Sequence, residues 1–221
     1  MTSHGEPDAP VGRLLYKGAE ADVIKGLWRR LPAVYKVRKP LPYRLSSLDA
    51  ALRRHRTLRE AEIISSSRKA GVPAPRLYYV DIDRTTIVME YIDGPRLKDL
   101  VSSERTAQAA PLFRELGRDA GQLHSSGITH GDLTTANMIV RGAGLVFIDF
   151  GLASHSERLE DHAVDLRLIK ETLAGAHPAV AAAAMANVLA GYSQEVGVRR
   201  AAQVVGQLRR IERRGRYARL G

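Results

Sequence analysis

The sequence predicts an α+β fold in two lobes, the first rich in β-strands around one main helix, the second mostly helical. Three observations carry this. Short, β-prone apolar runs crowd the stretch before residue 92. A single long helix candidate, 49–70, interrupts them. Further on, apolar residues recur at helical spacing, as in Leu112, Leu116, Ala120 and Leu123, and one hairpin signal at 139–148 breaks that pattern. The implied organisation is a leader at 1–12, a first lobe at 13–92 and a second lobe at 93–221 that ends in a basic tail.

In chain order, MTSHGEPDAP lacks the charged-then-apolar profile of a signal peptide and reads as a disordered leader. Leu14–Tyr16 and Ala21–Ile24 read as strands joined by the turn Lys17-Gly-Ala-Glu. The next strand, Ala33–Val37, alternates so that Val34 and Lys36 share one face while Tyr35 and Val37 share the other. A lysine on an inward face needs an anion. The helix at 49–70 has Asp49 in its first turn and Gly71 as its stop. It offers Glu60 and Glu62, which point in different directions at about 3.6 residues per turn, so only one can meet Lys36. Periodicity leaves both open, since Glu60 sides with Ile63 and Ile64 and Glu62 with Leu58; Glu60 is the choice, with Glu62 as a solvated charge. Val72-Pro-Ala-Pro is a stiff connector, and Tyr78–Asp81 and Thr86–Glu90 are strands around a turn.

The second lobe opens with a helix at Pro111–Ser125, in which His124 is a packed, structural histidine. His130–Gly151, HGDLTTANMIVRGAGLVFIDFG, then reads as loop, strand, Arg141-Gly-Ala-Gly turn and strand. Such a hairpin brings Asp132, Asn137 and Asp149 into one small volume. That set suits phosphoryl transfer: one carboxylate takes the proton of the attacking hydroxyl or orients water, while the amide and the other carboxylate hold Mg²⁺ against nucleotide phosphates. The order and spacing follow the protein-kinase pattern, with Asp132 as catalytic-loop Asp, Asn137 as its metal-binding Asn and Asp149-Phe150-Gly151 as the DFG-type triplet. Lys36 fills the place of the lysine that reaches the phosphates of ATP, and the Gly18-Ala19 turn that of the phosphate-covering hairpin, although Gly18 alone represents the usual three glycines. The Glu90 carbonyl and Ile92 amide are the expected adenine contacts. One triplet alone reads as a chance turn or cap; the whole ordered set does not. From Leu152 to Asp161 there is no room for a long activation segment before a helix at His162–Leu173, and Gly131 stands where an arginine would answer a loop phosphate. Both features argue against control by loop phosphorylation. Asp165 is expected to bond the loop's backbone amides, and His130 to brace it.

The 221 residues hold 34 Lys plus Arg against 24 Asp plus Glu, a net charge of +10. From Lys25 to Glu60 eleven basic residues face two acids, and from Val198 to Gly221 eight arginines face one. This balance points to a polyanion, nucleic acid first, an acidic protein or membrane surface next. There is no cysteine, which excludes disulfides and thiol catalysis. No apolar run approaches a membrane span; Ala179–Ala190, interrupted by Asn187, reads as a core helix. A cytoplasmic protein without membrane association is the expectation.

The segments KGAEA (17–21), VYKVRKPLPYR (34–44), RTLREA (56–61), GVPAP (71–75), MEYIDG (89–94), HGDLTTANMI (130–139) and IDFGLA (148–153) together resemble the small atypical, RIO-like kinase/ATPase subunit of the KEOPS complex, which assists tRNA threonylcarbamoyladenosine synthesis. HGDLTT followed by Asn is the most specific piece. Ala136 and Ser46-Ser47 depart from that pattern without touching a phosphate or metal contact. The resemblance implies a minimal two-lobed kinase fold, Mg-ATP binding, serine/threonine phosphorylation or ATP hydrolysis, and contact with the threonylcarbamoyl-transferase subunit and a small regulatory subunit. tRNA would meet the basic first-lobe surface and the Arg-rich tail. RTLREA also favours Glu60 on family grounds. Two other readings are a small-molecule phosphotransferase of the aminoglycoside or choline kinase type, for which the chain has little room for a substrate insert, and a non-catalytic tRNA-binding scaffold, against which the intact Lys36, Asp132, Asn137 and Asp149 stand.

Overall fold

Five antiparallel strands form where β-branched and aromatic residues alternate with polar ones. In this computed structural model, which describes residues 12–100 and 106–217, they are β1 (Gly12–Lys17), β2 (Ala21–Trp28), β3 (Leu31–Arg38), β4 (Leu77–Asp81) and β5 (Thr86–Glu90), in the sheet order β1-β2-β3-β5-β4. Between β3 and β4 runs α1 (Ser46–Lys69), three residues longer at its start than the sequence predicts. Strands β2 and β3 also run further than expected, to a two-residue hairpin at Arg29-Arg30, where Trp28 pairs with Leu31. One face of this sheet buries Ala33, Tyr35 and Val88 against Ile24, Trp28, Val37 and Tyr78. Lys36 and Arg38 point the other way, both nearly buried. Residues 1–11 of the expected leader, and 218–221 of the tail, lie outside the described residues.

The later elements are a single helical turn α2 (Leu97–Leu100), α3 (Thr106–Ser125), short strands β6 (Ile128–Thr129) and β9 (Ser154–His155) that pair with each other, the hairpin β7 (Met138–Arg141) and β8 (Gly144–Phe147), and helices α4 (Leu159–Ala176), α5 (Ala181–Val196) and α6 (Val198–Tyr217). Helix α3 starts five residues before the expected Pro111, which it contains in its first turns, and α4 starts three before the expected His162. Helices α3 and α5 cross backbone to backbone. A Cβ on Gly117 would sit 1.8 Å from the Val188 carbonyl, and one on Gly191 would sit 1.9 Å from that of Arg114. Phe113, Leu116, Ala120 and Leu123 of α3, Leu166, Ile169 and Leu173 of α4, Val188 and Tyr192 of α5 and Val204 of α6 are fully buried.

The chain divides into two compact units. One runs through Ser65 and resumes at Pro75–Tyr91; the other comprises Ser66–Ala74 and the chain from Ile92 onward. The last turn of α1 and the proline connector count with the second unit because the Pro73 carbonyl accepts the amide of Phe147 at 2.9 Å, and Arg68 of α1 donates to the Ala74 carbonyl. Among the described residues no helix is long and apolar enough to cross a membrane.

Candidate active site

The first unit holds a buried ion cluster. The β3 register, with Lys36 between Val23 of β2 and Ile87 of β5, points the lysine to the sheet face opposite Tyr35. Its Nζ lies 2.5 Å from Oε1 of Glu60 on α1, a side chain only 1% exposed. Glu62, two residues on, is exposed. The other oxygen of Glu60 receives Nη2 of Arg38, also at 2.5 Å. Sequence reasoning passed over Arg38; its position on the face of Lys36, two residues away, was the available signal. Gly18 and Ala19 form the β1–β2 turn, where the Gly18 amide donates to the Ala21 carbonyl and Lys39 Nζ donates to the Gly18 carbonyl and to Asp22. Glu90 closes β5, its amide bonded to the Arg76 carbonyl. Ile92 begins the second unit and is buried.

The remaining predicted residues gather in the second unit. The Asn137 Nδ2 donates to Oδ2 of Asp132 at 2.7 Å and to its carbonyl at 3.0 Å. Its amide oxygen, the only metal-donor atom of a carboxamide, is thereby turned away from Asp132. The Asn137 carbonyl accepts the amide of Ile148, which brings the next residue, Asp149, alongside. Asp149 is exposed and has φ +61°, a left-handed conformation uncommon outside glycine. Strained backbone of this kind clusters at functional sites. The donor set fits Mg²⁺, which binds through one or two protein oxygens and completes its shell with phosphate and water. No group of three His, Cys, Asp or Glu side chains among the described residues could hold a metal by itself.

A buried scaffold supports this loop. Asp165 of α4 accepts the amides of His130 at 2.7 Å and Gly131 at 2.8 Å, as expected, and the Nε2–H of His124 at 3.2 Å. Burial pushes the Asp165 carboxyl up, but the hydrogen bond and charge of His124, with the bond from the His130 amide, outweigh it and hold it below the usual carboxylate value. The Tyr192 hydroxyl is hydrogen-bonded to Nδ1 of His124 at 2.9 Å. The His162 ring stacks on His124 at 4.1 Å, and burial pushes its pKa down to about 4, with the neighbouring His124 charge acting the same way. His130 is buried, donates from Nε2 to the Ile148 carbonyl and accepts the Asp132 amide at 3.4 Å on Nδ1, so it braces the loop as a neutral ring; burial lowers its pKa against the pull of Asp165, Asp149 and Asp132. Phe150 packs against it, ring centroids 4.8 Å apart. Gly131 has φ +76°, and a Cβ there would meet the Leu152 carbonyl at 2.4 Å. Glycine at this place is therefore a backbone requirement as well as a missing arginine.

Most cations of the basic stretch are spent within the first unit. Arg44 and Arg56 pair with Glu20, Arg53 with Asp49 and Arg54 with Asp83. On α6, by contrast, Ala201, Val204 and Leu208 are buried while Arg199, Arg209, Arg210, Arg213 and Arg214 are exposed, Arg214 with a long 3.9 Å pair to Glu160.

The RIO domain matches residues 44–171. The Rio2 kinase of Chaetomium thermophilum, solved as an ADP/Mg²⁺-phosphoaspartate complex, superposes with a TM-score of 0.65 over 93% of this chain and 72% of its own, at 17% identity. The fold is thus that of a RIO-type kinase, with an α+β architecture. The KEOPS complex subunit Bud32 of Pyrococcus abyssi is 38% identical over 93% of this chain and 96% of its own. A probable serine/threonine-protein kinase BUD32 homolog of Archaeoglobus fulgidus is 39% identical over 92% of this chain and 95% of its own. The chain belongs to this Bud32 family of RIO-domain proteins. A probable bifunctional tRNA threonylcarbamoyladenosine biosynthesis protein of Methanobrevibacter smithii is 40% identical over 92% of this chain, which spans about a third, 36%, of that longer protein.

Proposed function

We propose that the chain binds Mg-ATP and transfers or hydrolyses its γ-phosphoryl group as the kinase/ATPase member of a KEOPS-type assembly serving tRNA threonylcarbamoyladenosine formation, in the cytoplasm. The observation that carries this is the Asn137–Asp132 bond, which commits the amide nitrogen and leaves the oxygen for a cation next to Asp149. Mg²⁺, when bound, would neutralise the phosphate oxygens. Lys36, held by Glu60, would position the phosphates, Gly18 and Ala19 would cover them, and the Glu90 carbonyl and Ile92 amide would take the adenine edge. Asp132 would orient the attacking water or serine hydroxyl and accept its proton as the new P–O bond forms, while the bond from the γ-phosphorus to the bridging oxygen breaks and ADP departs.

The relatives support a choice of partners. A segment fused to a longer biosynthetic protein in one organism and separate in another suits a stable contact with the missing part, here the threonylcarbamoyl-transferase subunit; a small regulatory subunit is the second partner. Since the first-unit cations are largely ion-paired, tRNA is assigned chiefly to the arginines of α6. Asp149→Ala is expected to lower Mg-ATP turnover by at least about a hundredfold while partner and tRNA binding persist. Turnover would be followed as phosphate release and as labelled protein, with and without tRNA and the transferase subunit. Unchanged turnover in Asp149→Ala would remove the catalytic assignment.

A further inference from the structure

One carboxylate in the first unit serves two cations. Lys36 and Arg38 lie two residues apart on β3, hence on one face, and take opposite oxygens of Glu60. All three side chains are under a tenth exposed. The two cations differ in kind. Lysine is a point charge on a flexible stem, whereas the arginine guanidinium is planar, always charged and pre-organised for a carboxylate.

Arg38 is itself fixed from both sides. Its amide donates to the Thr85 carbonyl, and the Thr85 hydroxyl donates back to the Arg38 carbonyl, each at 3.1 Å. Thr85 holds this place at φ +48°, a strained conformation for a β-branched residue. The same hydroxyl accepts Nη1 of Arg53 on α1, whose Nε donates to Asp49 at 2.7 Å. The end of β3 is therefore tied to α1 at two levels, through Thr85 and Arg53 near the start of the helix and through Glu60 beyond it. Arg38 also keeps a buried Nε without a hydrogen-bond partner among the described residues, a cost that an apolar residue of similar size would avoid. What offsets that cost is the bond it makes to Glu60.

In other protein kinases the lysine–glutamate pair is controlled by helix position and by phosphorylation of the activation segment. Here the chain passes from Gly151 to α4 through Leu152–Arg158 alone. We propose that Arg38 is a positioning residue that replaces that control: it clamps the second oxygen of Glu60, so the first stands ready for Lys36 without modification elsewhere. This rests on the phosphoryl-transfer reading for its consequence, and on the first unit alone for its geometry.

The test uses the full chain with lysine ε-¹³C labelling, free of nucleotide, and the Lys36 signal assigned by its loss in Lys36→Arg. Arg38→Gln is expected to move the Lys36 signal toward its position in Glu60→Gln, and Arg38→Lys to move it less. ATP turnover by Arg38→Gln should fall in kcat/KM by about tenfold to a hundredfold, the scale of a slightly misplaced group. In a Glu60→Gln background the same substitution should change it by less than about twofold, because the group through which Arg38 acts is gone. A Lys36 signal unmoved by Arg38→Gln, or losses that simply multiply, would overturn the proposal. If Arg38→Gln fails to fold, Arg38→Lys carries the same comparisons. A protein that turns over no ATP but whose Lys36 signal moves would retain the clamp and lose the phosphoryl-transfer reading.

Discussion

Two buried carboxylates show how environment decides what an acid can do. Asp165 meets three donors, so its charge is stabilised and its oxygens fix the backbone of His130 and Gly131. Asp119 on α3 is equally buried, yet among the described residues only Arg118 donates to it, on Oδ1 at 3.2 Å, and Oδ2 has no partner. Burial, with the charges of Glu115 and Glu195, pushes its pKa up to about 6 against the pull of Arg118. A carboxyl whose pKa is raised by folding binds its proton more tightly when native. Its contribution to stability is thus complete below about pH 4 and lost as pH rises through about 6. Asp119→Asn should remove this loss. Urea unfolding is expected to show the variant gaining on the parent by up to about 3 kcal/mol between pH 4 and pH 7; parallel stability curves would contradict it. Asp132, Asn137 and Asp149 could be found in the sequence because ordered spacing around a hairpin fixes their neighbourhood. Arg38 was legible only as the residue two places from Lys36 on one strand face, a signal masked by the surrounding charge run; Thr85 could not be found, because its left-handed backbone leaves no trace in a threonine.

At the level of elements, the helix and strand periods gave the class of the main segments but not of α6, which read as a basic tail, nor of the short α2, β6 and β9, and local chemistry misled at the ends of the rest. The β2–β3 turn is Arg29-Arg30, with φ of 49° and 70°, where a two-residue hairpin ordinarily calls for Asn-Gly. Two arginines gave no turn signal, so both strands read short. The glycines of α3 and α5 lie inside helices. Gly inside a helix costs about 1 kcal/mol relative to Ala, and only the crossing explains Gly117 and Gly191. Gly191→Ala should gain that propensity and lose more, since its methyl group would lie 1.9 Å from the Arg114 carbonyl and force the helices apart. A net destabilisation of roughly 2 kcal/mol is expected in urea unfolding. A stabilised variant would mean that the two helices do not meet at these glycines.

Across the whole molecule, the net charge of +10 divides unequally between work done inside and charge offered outside. In the first unit, Glu20, Asp22, Asp49, Glu60 and Asp83 absorb most of the dense basic stretch into ion pairs that order β3, α1 and the β1–β2 turn. Paired cations have little left to release counterions from a phosphate backbone. The amphipathic α6 keeps its apolar stripe buried, so its arginines can be exchanged without opening the core. Removing one cation from a phosphate lowers the slope of log K against log salt by about 0.7–0.9. Replacing Arg209, Arg210, Arg213 and Arg214 together by Gln should therefore flatten the salt dependence of tRNA binding by about three in slope, if all four reach phosphates, and leave the ATP turnover of the isolated chain unaltered. Arg54→Gln, which frees Asp83 on the first unit, should leave the slope where it was. An unchanged slope in the α6 variant would withdraw RNA from that helix, and a flattened slope in Arg54→Gln instead would move the RNA to the first unit.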